Sequence, residues 1–150
     1  MQERFETFTV LINRISRDIR KIKNQEMADY HLRSAHVSCL YYVYSLESVT
    51  SAELCEHCEE DKATISRAVD YLETNGFLLR GTSAKRYKSP LLLTEKGRDA
   101  GKRIAEKIGS ILETVSHALT ENERIEFYRC LSTISRSLEA IVQNSEEKEM

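Results

Sequence analysis

The stretch that decides the fold is DKATISRAVDYLETNGF, which runs from Asp61 to Phe77. Asp61 carries a carboxylate that can cap a helix N-terminus, so the stretch predicts a helix from about Lys62 to Asn75. Gly76 follows at the place where a left-handed C-terminal cap belongs. Apolar side chains recur at helical spacing on one face, at Ile65, Ala68, Val69 and Leu72. The stretch therefore predicts an amphipathic helix with a defined start and stop.

A shorter helix and a hairpin flank this one. Residues Thr50–Glu53 read Thr-Ser-Ala-Glu, a capping box, and predict a helix over about Ser51–Cys58. Downstream, the apolar runs Phe77–Leu79 and Leu91–Leu93 predict two short strands, and Arg80–Pro90 between them predicts a hairpin with a basic tip. Two short helices joined by a tight acidic turn and followed by a basic hairpin indicate a winged helix-turn-helix.

The rest of the chain predicts long helices. An apolar stripe with heptad-like spacing opens it, at Phe5, Phe8, Ile12, Ile15, Ile19 and Ile22. A further helix is expected from about Ala35 to Leu46, and a second capping box, Thr120–Glu123, opens the last helix. The predicted fold class is mainly α with a small β-hairpin wing: a winged helix-turn-helix lobe over residues 35–97, helices over 1–30 and 100–143 that need a helical partner, and a frayed tail over 144–150.

Charge is unevenly distributed along a chain whose formal net charge is −2. Residues 62–88 hold six basic and two acidic side chains, whereas residues 47–61 hold six acids and no lysine or arginine. Because affinity for DNA comes from summed neutralisation of phosphates, the basic segment predicts a DNA contact. The expected contact residues are Lys62, Ala63, Thr64, Ser66, Arg67, Asp70, Arg80, Lys85, Arg86 and Lys88. Among these, Arg67 is expected to reach guanine and the small residues to admit the helix to a major groove.

The runs Leu54–Cys58, Asp61–Arg67, Leu72–Phe77 and Leu93–Gly97 together resemble the MarR family of bacterial transcription regulators. The resemblance covers most of the chain and implies a single MarR-like domain over residues 1–150. It implies a homodimer whose terminal helices interlock while two winged lobes read a pseudo-palindromic operator, with repression as the expected role. One departure concerns the wing: the Asp-x-Arg pair that usually braces it is replaced at residues 85–87 by Lys-Arg-Tyr.

Several aromatic residues are expected between the lobe and the dimer platform. They are Tyr30, His36, Tyr41, Tyr42 and Tyr44. An amphipathic pocket there would suit a small aromatic effector, although aromatic residues at helical spacing more often belong to a core. Both interpretations stay open at this stage.

Four cysteines invite a metal or redox interpretation: Cys39, Cys55, Cys58 and Cys130. The Cys-x-x-Cys spacing of Cys55 and Cys58 lacks the second ligand pair of a structural zinc site, so no metal is expected. Buried thiols behave as small hydrophobic groups, and core packing is the favoured interpretation. A thiol switch at this pair, or at Cys39 beside Tyr41 and Tyr42, is the alternative.

Other function classes find little support. The chain shows neither a phosphate-binding glycine loop nor a nucleophile motif, so an enzyme and a cofactor are not expected. The longest uncharged apolar run, Val37–Leu46, is about half the length of a spanning helix, and no secretory signal is present, so a cytoplasmic protein is expected. The rival hypothesis is a winged helix that binds protein, as an antirepressor does, because the acidic segment over residues 47–61 would repel phosphates.

Overall fold

The computed structural model describes the backbone of residues 2–46, 48–58, 60–82, 85 and 88–149, with side chains among residues 6–145. Its elements follow in the order α1 Gln2–Glu26, a short 3-10 turn Ala28–Tyr30, α2 Ser34–Ser45, α3 Ser51–Cys58, α4 Lys62–Thr74, β1 Leu78–Arg80, β2 Leu91–Leu93, α5 Glu95–Ser116 and α6 Glu121–Glu149. The predicted class, mainly α with one small hairpin, is confirmed. The chain divides into two compact units, Met1–Lys107 and Ile108–Met150.

The core of the first unit lies among α2, α3, α4 and the hairpin. The inner face of α4 is buried as the helical spacing predicts. The largest side chains with almost no exposure are Phe77, Met27, Leu32, Leu40, Leu54, Ile65, Leu72, Leu78 and Leu91. Burial of this apolar surface holds the two short helices and the hairpin together as one lobe.

The hairpin is a two-stranded antiparallel sheet. Leu78 pairs with Leu93 and Arg80 with Leu91. The amide of Leu91 also donates to the carbonyl of Val49 at 2.8 Å, which attaches β2 to the segment before α3. Because neighbouring strand residues point to opposite faces, Leu78 and Leu91 are buried, whereas the outer face of the sheet is exposed.

Both predicted capping boxes are present. The backbone amide of Thr50 donates to Glu53 Oε2 at 2.7 Å, and the amide of Glu53 donates to Thr50 Oγ1 at 3.3 Å. Thr120 and Glu123 repeat this arrangement before α6, at 2.8 and 3.3 Å. Each box satisfies donors that the first helical turn would otherwise leave unpaired. Helix starts were therefore predictable from these short motifs.

Some predicted boundaries differ from the structure. The first strand begins at Leu78 and not at Phe77, because Phe77 is still bonded to α4, its amide donating to Leu72 at 2.8 Å. The last helix continues to Glu149, past the expected end at residue 143. Residues 144–149 contain neither glycine nor proline and are rich in glutamate, which favours continuation of a helix.

Candidate nucleic-acid interface

The outer face of α4 is small, polar and exposed. Lys62, Ala63, Ser66 and Arg67 are exposed on this helix, and Thr64 is half-buried. The Thr64 hydroxyl lies 3.4 Å from Arg67 Nη2 and accepts a hydrogen bond from it. The structure therefore brings these five predicted contact residues onto one helix, with no large side chain between them to prevent a close approach.

Asp61 caps the N-terminus of α4, as the sequence predicts. Its carboxylate accepts hydrogen bonds from the backbone amide and the hydroxyl of Thr64, both at 2.8 Å. Both bonds hold the pKa of the Asp61 carboxyl below its ordinary value, and the bond from the Thr64 backbone amide has the larger effect. The carboxylate also lies at the positive end of the helix dipole, so its charge stabilises α4.

A pair of substitutions at Asp61 separates capping from charge. Asp61→Ala should lower the free energy of unfolding at neutral pH, whereas Asp61→Asn should retain the cap, because an amide oxygen accepts the same bonds. A carboxyl with a depressed folded pKa adds stability that is present above the ordinary value of 3.8 and lost as the pH falls through the folded pKa. Urea unfolding from neutral pH to below 3.8 should therefore show this loss in the wild type and not in Asp61→Asn. Equal stability of the alanine variant and Glu60→Gln, a neighbouring control, would contradict the capping role.

Arg80, at the end of β1, fastens the hairpin to the two helices. Its Nε donates to Glu73 Oε2 at 2.7 Å, its Nη2 donates to Asp70 Oδ1 at 3.0 Å, and its Nη1 donates to Ser51 Oγ at 3.3 Å. The Arg80 side chain is only 14% exposed. We call this group the Arg80 clamp. Arg80 and Asp70, both expected to contact DNA, are thus bonded to each other, with the Arg80 side chain largely buried and that of Asp70 about half exposed.

The wing carries two further predicted contact residues that the structure describes. Lys85 and Lys88 are exposed, and the amide of Lys88 donates to the carbonyl of Lys85 at 2.9 Å. Arg86 lies outside the described residues, as does Tyr87. The Arg80 clamp braces the hairpin at the end of β1, whereas the Asp-x-Arg pair that the sequence lacks would lie at residues 85–87.

A groove separates α3 from α4. Its cavity measures about 520 Å³ and is bordered by side chains of both helices and of Arg80. Three of the predicted contact residues, Lys62, Ser66 and Arg80, are among its lining residues. Lys62 contributes a positive charge to the rim of the groove, and Glu56 contributes a negative one.

The C-terminal end of α4 is bonded to the first turn of α5. Thr94 Oγ1 donates to the carbonyl of Gly76 at 2.6 Å, and Lys96 Nζ donates to the carbonyl of Asn75 at 2.9 Å. The Lys96 ammonium also lies 4.2 Å from the centre of the Phe77 ring. Gly76 has a φ of 76°, the left-handed conformation that its place after the helix predicts. We call this set of contacts the α4–α5 joint.

The aromatic residues proposed for an effector pocket make separate contacts. The His36 ring stacks on Tyr71 of α4 at 4.3 Å, and the Tyr42 ring stacks on His57 at 5.2 Å. Tyr30 meets the edge of Phe77 at 6.4 Å, Tyr41 meets Tyr42, and Tyr44 packs against Gly101. Two cavities bordered by described residues, one along α3 and α4 and one around Asn24 and His31, are lined by none of these five side chains. Most of the five aromatic side chains therefore pack against other residues of the same chain.

The cysteines differ in burial. Cys39 is buried, Cys55 and Cys58 are half-buried, and Cys130 is exposed. Cys55 Sγ donates to the carbonyl of Ser51 at 3.3 Å within α3. In the part of the chain that the structure describes, no three His, Cys, Asp or Glu side chains form a group suited to a metal ion.

The chain is similar to known proteins in its structure and not in its sequence. No protein-family model and no curated protein matches the sequence. NMB1585 from Neisseria meningitidis, a MarR family regulator, superposes with a TM-score of 0.82 at 18% identity, over 95% of this chain and 98% of that one. MepR of Staphylococcus aureus, in a complex with DNA, gives 0.77 at 18% identity, over 87% and 97%. The fold is that of the MarR family of regulators.

A third structure with the MarR fold was solved with small molecules. Staphylococcus aureus MarR in complex with salicylate and kanamycin superposes with a TM-score of 0.74 at 17% identity, over 91% of each chain. The predicted fold and the family resemblance therefore agree with the solved structures. Across the described residues, no helix has both the length and the apolar character needed to cross a membrane.

Two features of this MarR fold were missed by sequence reasoning. Glu73 and Ser51 complete the Arg80 clamp, and Lys96 completes the α4–α5 joint. A signal for the clamp was present, since Asp70 and Glu73 are three residues apart and therefore share a helix face near a basic residue. Nothing in the sequence indicates the partner of Lys96, because that partner is a backbone carbonyl.

Proposed function

We propose that the chain is a MarR family transcription regulator of the cytoplasm that binds DNA sequence-specifically as a homodimer and represses transcription from a pseudo-palindromic operator. The observation that carries this proposal is the outer face of α4, on which Arg67, Ala63 and Ser66 are all exposed. An α-helix with its side chains is about 10–12 Å across, and a major groove about 12 Å wide admits it.

The remaining contact residues divide by role. Arg67 is proposed to read base edges, because its guanidinium is exposed and matches the two acceptors of guanine. Lys62, Lys85 and Lys88 are proposed to neutralise phosphates, and Arg86 is added from the sequence alone. Arg80 and Asp70 form an ion pair with each other in the Arg80 clamp. They are therefore proposed to affect DNA binding indirectly, by fixing the position of the wing.

Homodimer formation is supported by apolar surface that each unit leaves exposed. In the first unit, α1 exposes about half of the Val10, Ile15 and Ile19 side chains. In the second unit, α6 exposes Phe127, Leu138 and Ile141, the last at 62%. Soluble monomers rarely expose such continuous apolar helix faces, and a second copy would cover equivalent faces symmetrically. Sedimentation at micromolar concentration should give the mass of a dimer, and a monomer would contradict this part.

The decisive test is binding to DNA at several salt concentrations. The wild type should bind random-sequence DNA with an affinity that falls steeply with salt, by a slope of about −0.9 for each phosphate neutralised. Lys85→Ala should weaken binding to all sequences and flatten that slope by about one unit per protomer. On an operator selected from a random pool, Arg67→Ala should cost about tenfold in affinity and reduce the preference over random DNA.

Lys21→Ala is the matched control, because Lys21 is an exposed lysine of α1 outside the proposed interface. Its affinity and salt slope should equal those of the wild type. Absent or salt-insensitive binding would contradict the regulator and favour the alternative, a winged helix that binds protein through the acidic segment over residues 47–61. Two acids of that segment, Glu53 and Asp61, are already engaged in helix caps, which weakens the alternative.

Release by a small aromatic effector is proposed as part of the same function. Its support is the salicylate bound to the Staphylococcus aureus MarR structure and the aromatic residues of α2. Titration of the DNA complex with salicylate and related aromatic acids should lower the fraction of DNA bound. If none of them does so at millimolar concentration, the effector part of the proposal is wrong.

A further inference from the structure

Three side chains at the start of α4 form a chain of hydrogen bonds that ends at Arg67, the residue proposed to read base edges. Arg67 Nη2 donates to Thr64 Oγ1 at 3.4 Å, and Thr64 Oγ1 donates to Asp61 Oδ2 at 2.8 Å. The other carboxylate oxygen, Asp61 Oδ1, accepts from the Thr64 backbone amide at 2.8 Å. Each member lies three residues from the next, the spacing at which side chains of one helix face meet. We call this chain the Thr64 relay.

The Thr64 hydroxyl occupies the middle of the relay. A threonine hydroxyl carries one proton and can accept through two lone pairs. Here the proton is donated to Asp61, and a lone pair accepts from Arg67. The hydroxyl therefore has no proton to donate to a phosphate or a base while the relay is intact. Thr64 is also half-buried, whereas Arg67 is exposed. These features favour an indirect role for Thr64 in DNA recognition over a direct contact.

The relay gives the Arg67 side chain a defined direction. Side chains of an α-helix lean toward its N-terminus, so Arg67 extends back along α4 toward Thr64. The bond from the Thr64 amide, then that from its hydroxyl and, more weakly, the charge of Arg67 lower the pKa of the Asp61 carboxyl, so the carboxylate also attracts the guanidinium. A guanidinium carries five N–H groups, and one bond to Thr64 leaves enough donors for the two acceptors of guanine.

We propose that Thr64 is a positioning residue for DNA recognition: its hydroxyl, held by Asp61, orders the Arg67 side chain before DNA binds and so sets the preference for guanine at one position of each half-site. This inference rests on the proposed function. Ordering a long side chain during binding costs about two- to tenfold in affinity, and the relay removes part of that cost. Random DNA does not require an ordered Arg67, so the relay raises the preference for the operator.

The first experiment compares the affinity of the full-length chain for a selected operator with its affinity for random DNA. Thr64→Val keeps the shape of threonine and the backbone amide that bonds to Asp61, and it removes the hydroxyl. The ratio of the two affinities should fall about fourfold in this variant. Thr64→Ser restores the hydroxyl and should recover most of the wild-type ratio. The matched control is Thr74→Val, at an exposed threonine at the far end of α4, which should leave the ratio unchanged.

A double-mutant cycle separates the relay from a direct contact. In the Arg67→Ala background, Thr64→Val should weaken operator binding by less than about twofold, because the side chain that Thr64 positions is gone. A threonine that touches DNA itself would lose the same factor in both backgrounds, and that result would overturn the proposal. Equal weakening on operator and random DNA would overturn it too, because that is the effect of a damaged helix.

The mobility of Arg67 in the free protein tests the relay without DNA. Nitrogen-15 relaxation of the Arg67 Nε–H group should show a more ordered side chain than that of Arg98, an exposed arginine of α5, and the order should be lost in Thr64→Val. An Arg67 that is equally mobile in both proteins would show that the relay is absent. Failure of the wild type to bind DNA would contradict the proposed function and this proposal with it. An intact operator preference in Thr64→Val would overturn this proposal alone.

Discussion

Replacing Gly97 with alanine is expected to lower the free energy of unfolding by about 3 kcal/mol. Gly97 lies in the first turn of α5, and a Cβ there would stand 1.9 Å from the carbonyl oxygen of Phe77 and 2.9 Å from its carbonyl carbon. Both atoms belong to the backbone, so no side-chain rotation relieves the clash. The first turn of α5 would have to move away from the start of the hairpin, which would loosen the packing around Phe77 and Ala100.

Gly109 provides the matched control for this substitution. It lies in the same helix, and a Cβ at this position meets no atom within 4 Å. Gly109→Ala should therefore be neutral or stabilise the protein by about 0.5–1 kcal/mol, because alanine has the higher helix propensity. Guanidinium unfolding of both variants measures the difference. Equal midpoints for the two alanine variants would show that the close approach at Gly97 is absent.

Breaking the Arg80 clamp is expected to have the second largest effect. Arg80→Met keeps the apolar stem and removes the guanidinium, which leaves Asp70 and Glu73 near each other without their shared cation. The expected loss is about 2 kcal/mol of stability. This loss of stability is smaller than that expected for a fully buried ion pair, because the Asp70 side chain is 48% exposed and solvent screens its interaction with Arg80. Affinity for every DNA sequence should fall as well, since the wing loses its attachment to α4.

Two comparisons make this result specific. Arg98→Met removes an exposed arginine of α5 and should leave stability and DNA affinity nearly unchanged. Adding Glu73→Gln to Arg80→Met should recover part of the lost stability, because it removes one of the two neighbouring negative charges that Arg80 bridges in the wild type. Thermal and urea unfolding, with DNA binding measured in parallel, give the required values. A loss no greater than that of Arg98→Met would refute the role of the clamp.

Sequence patterns were sufficient where a structure depends on local chemistry. The helix starts at Thr50, Asp61 and Thr120 follow from side chains that bond to amides three residues away. The left-handed Gly76 and the buried face of α4 follow from spacing alone. The outer face of α4 was predictable by the same spacing, because residues that do not face the core must face outward.

Patterns were insufficient where contacts join distant parts of the chain. The sequence analysis assigned Arg80 to DNA on the basis of charge, and its partners Ser51 and Glu73 become visible only when the hairpin is folded onto the helices. The aromatic residues of α2 were grouped by nearness in sequence, but successive helical positions differ in direction, and His36 and Tyr42 stack on different elements.

The α4–α5 joint has a mechanical consequence. Because Thr94 and Lys96 bond to the carbonyls of Gly76 and Asn75, the two residues that follow α4, we expect the first turn of α5 and the whole of α4 to pivot together. The free end of α4 lies about 20 Å from this pivot, so a rotation of about 10° in α5 would swing Lys62 through roughly 3 Å. That displacement equals the full length of a hydrogen bond. A small change of angle at the base of α5 is thus enough to withdraw the outer face of α4 from contact with any rigid surface.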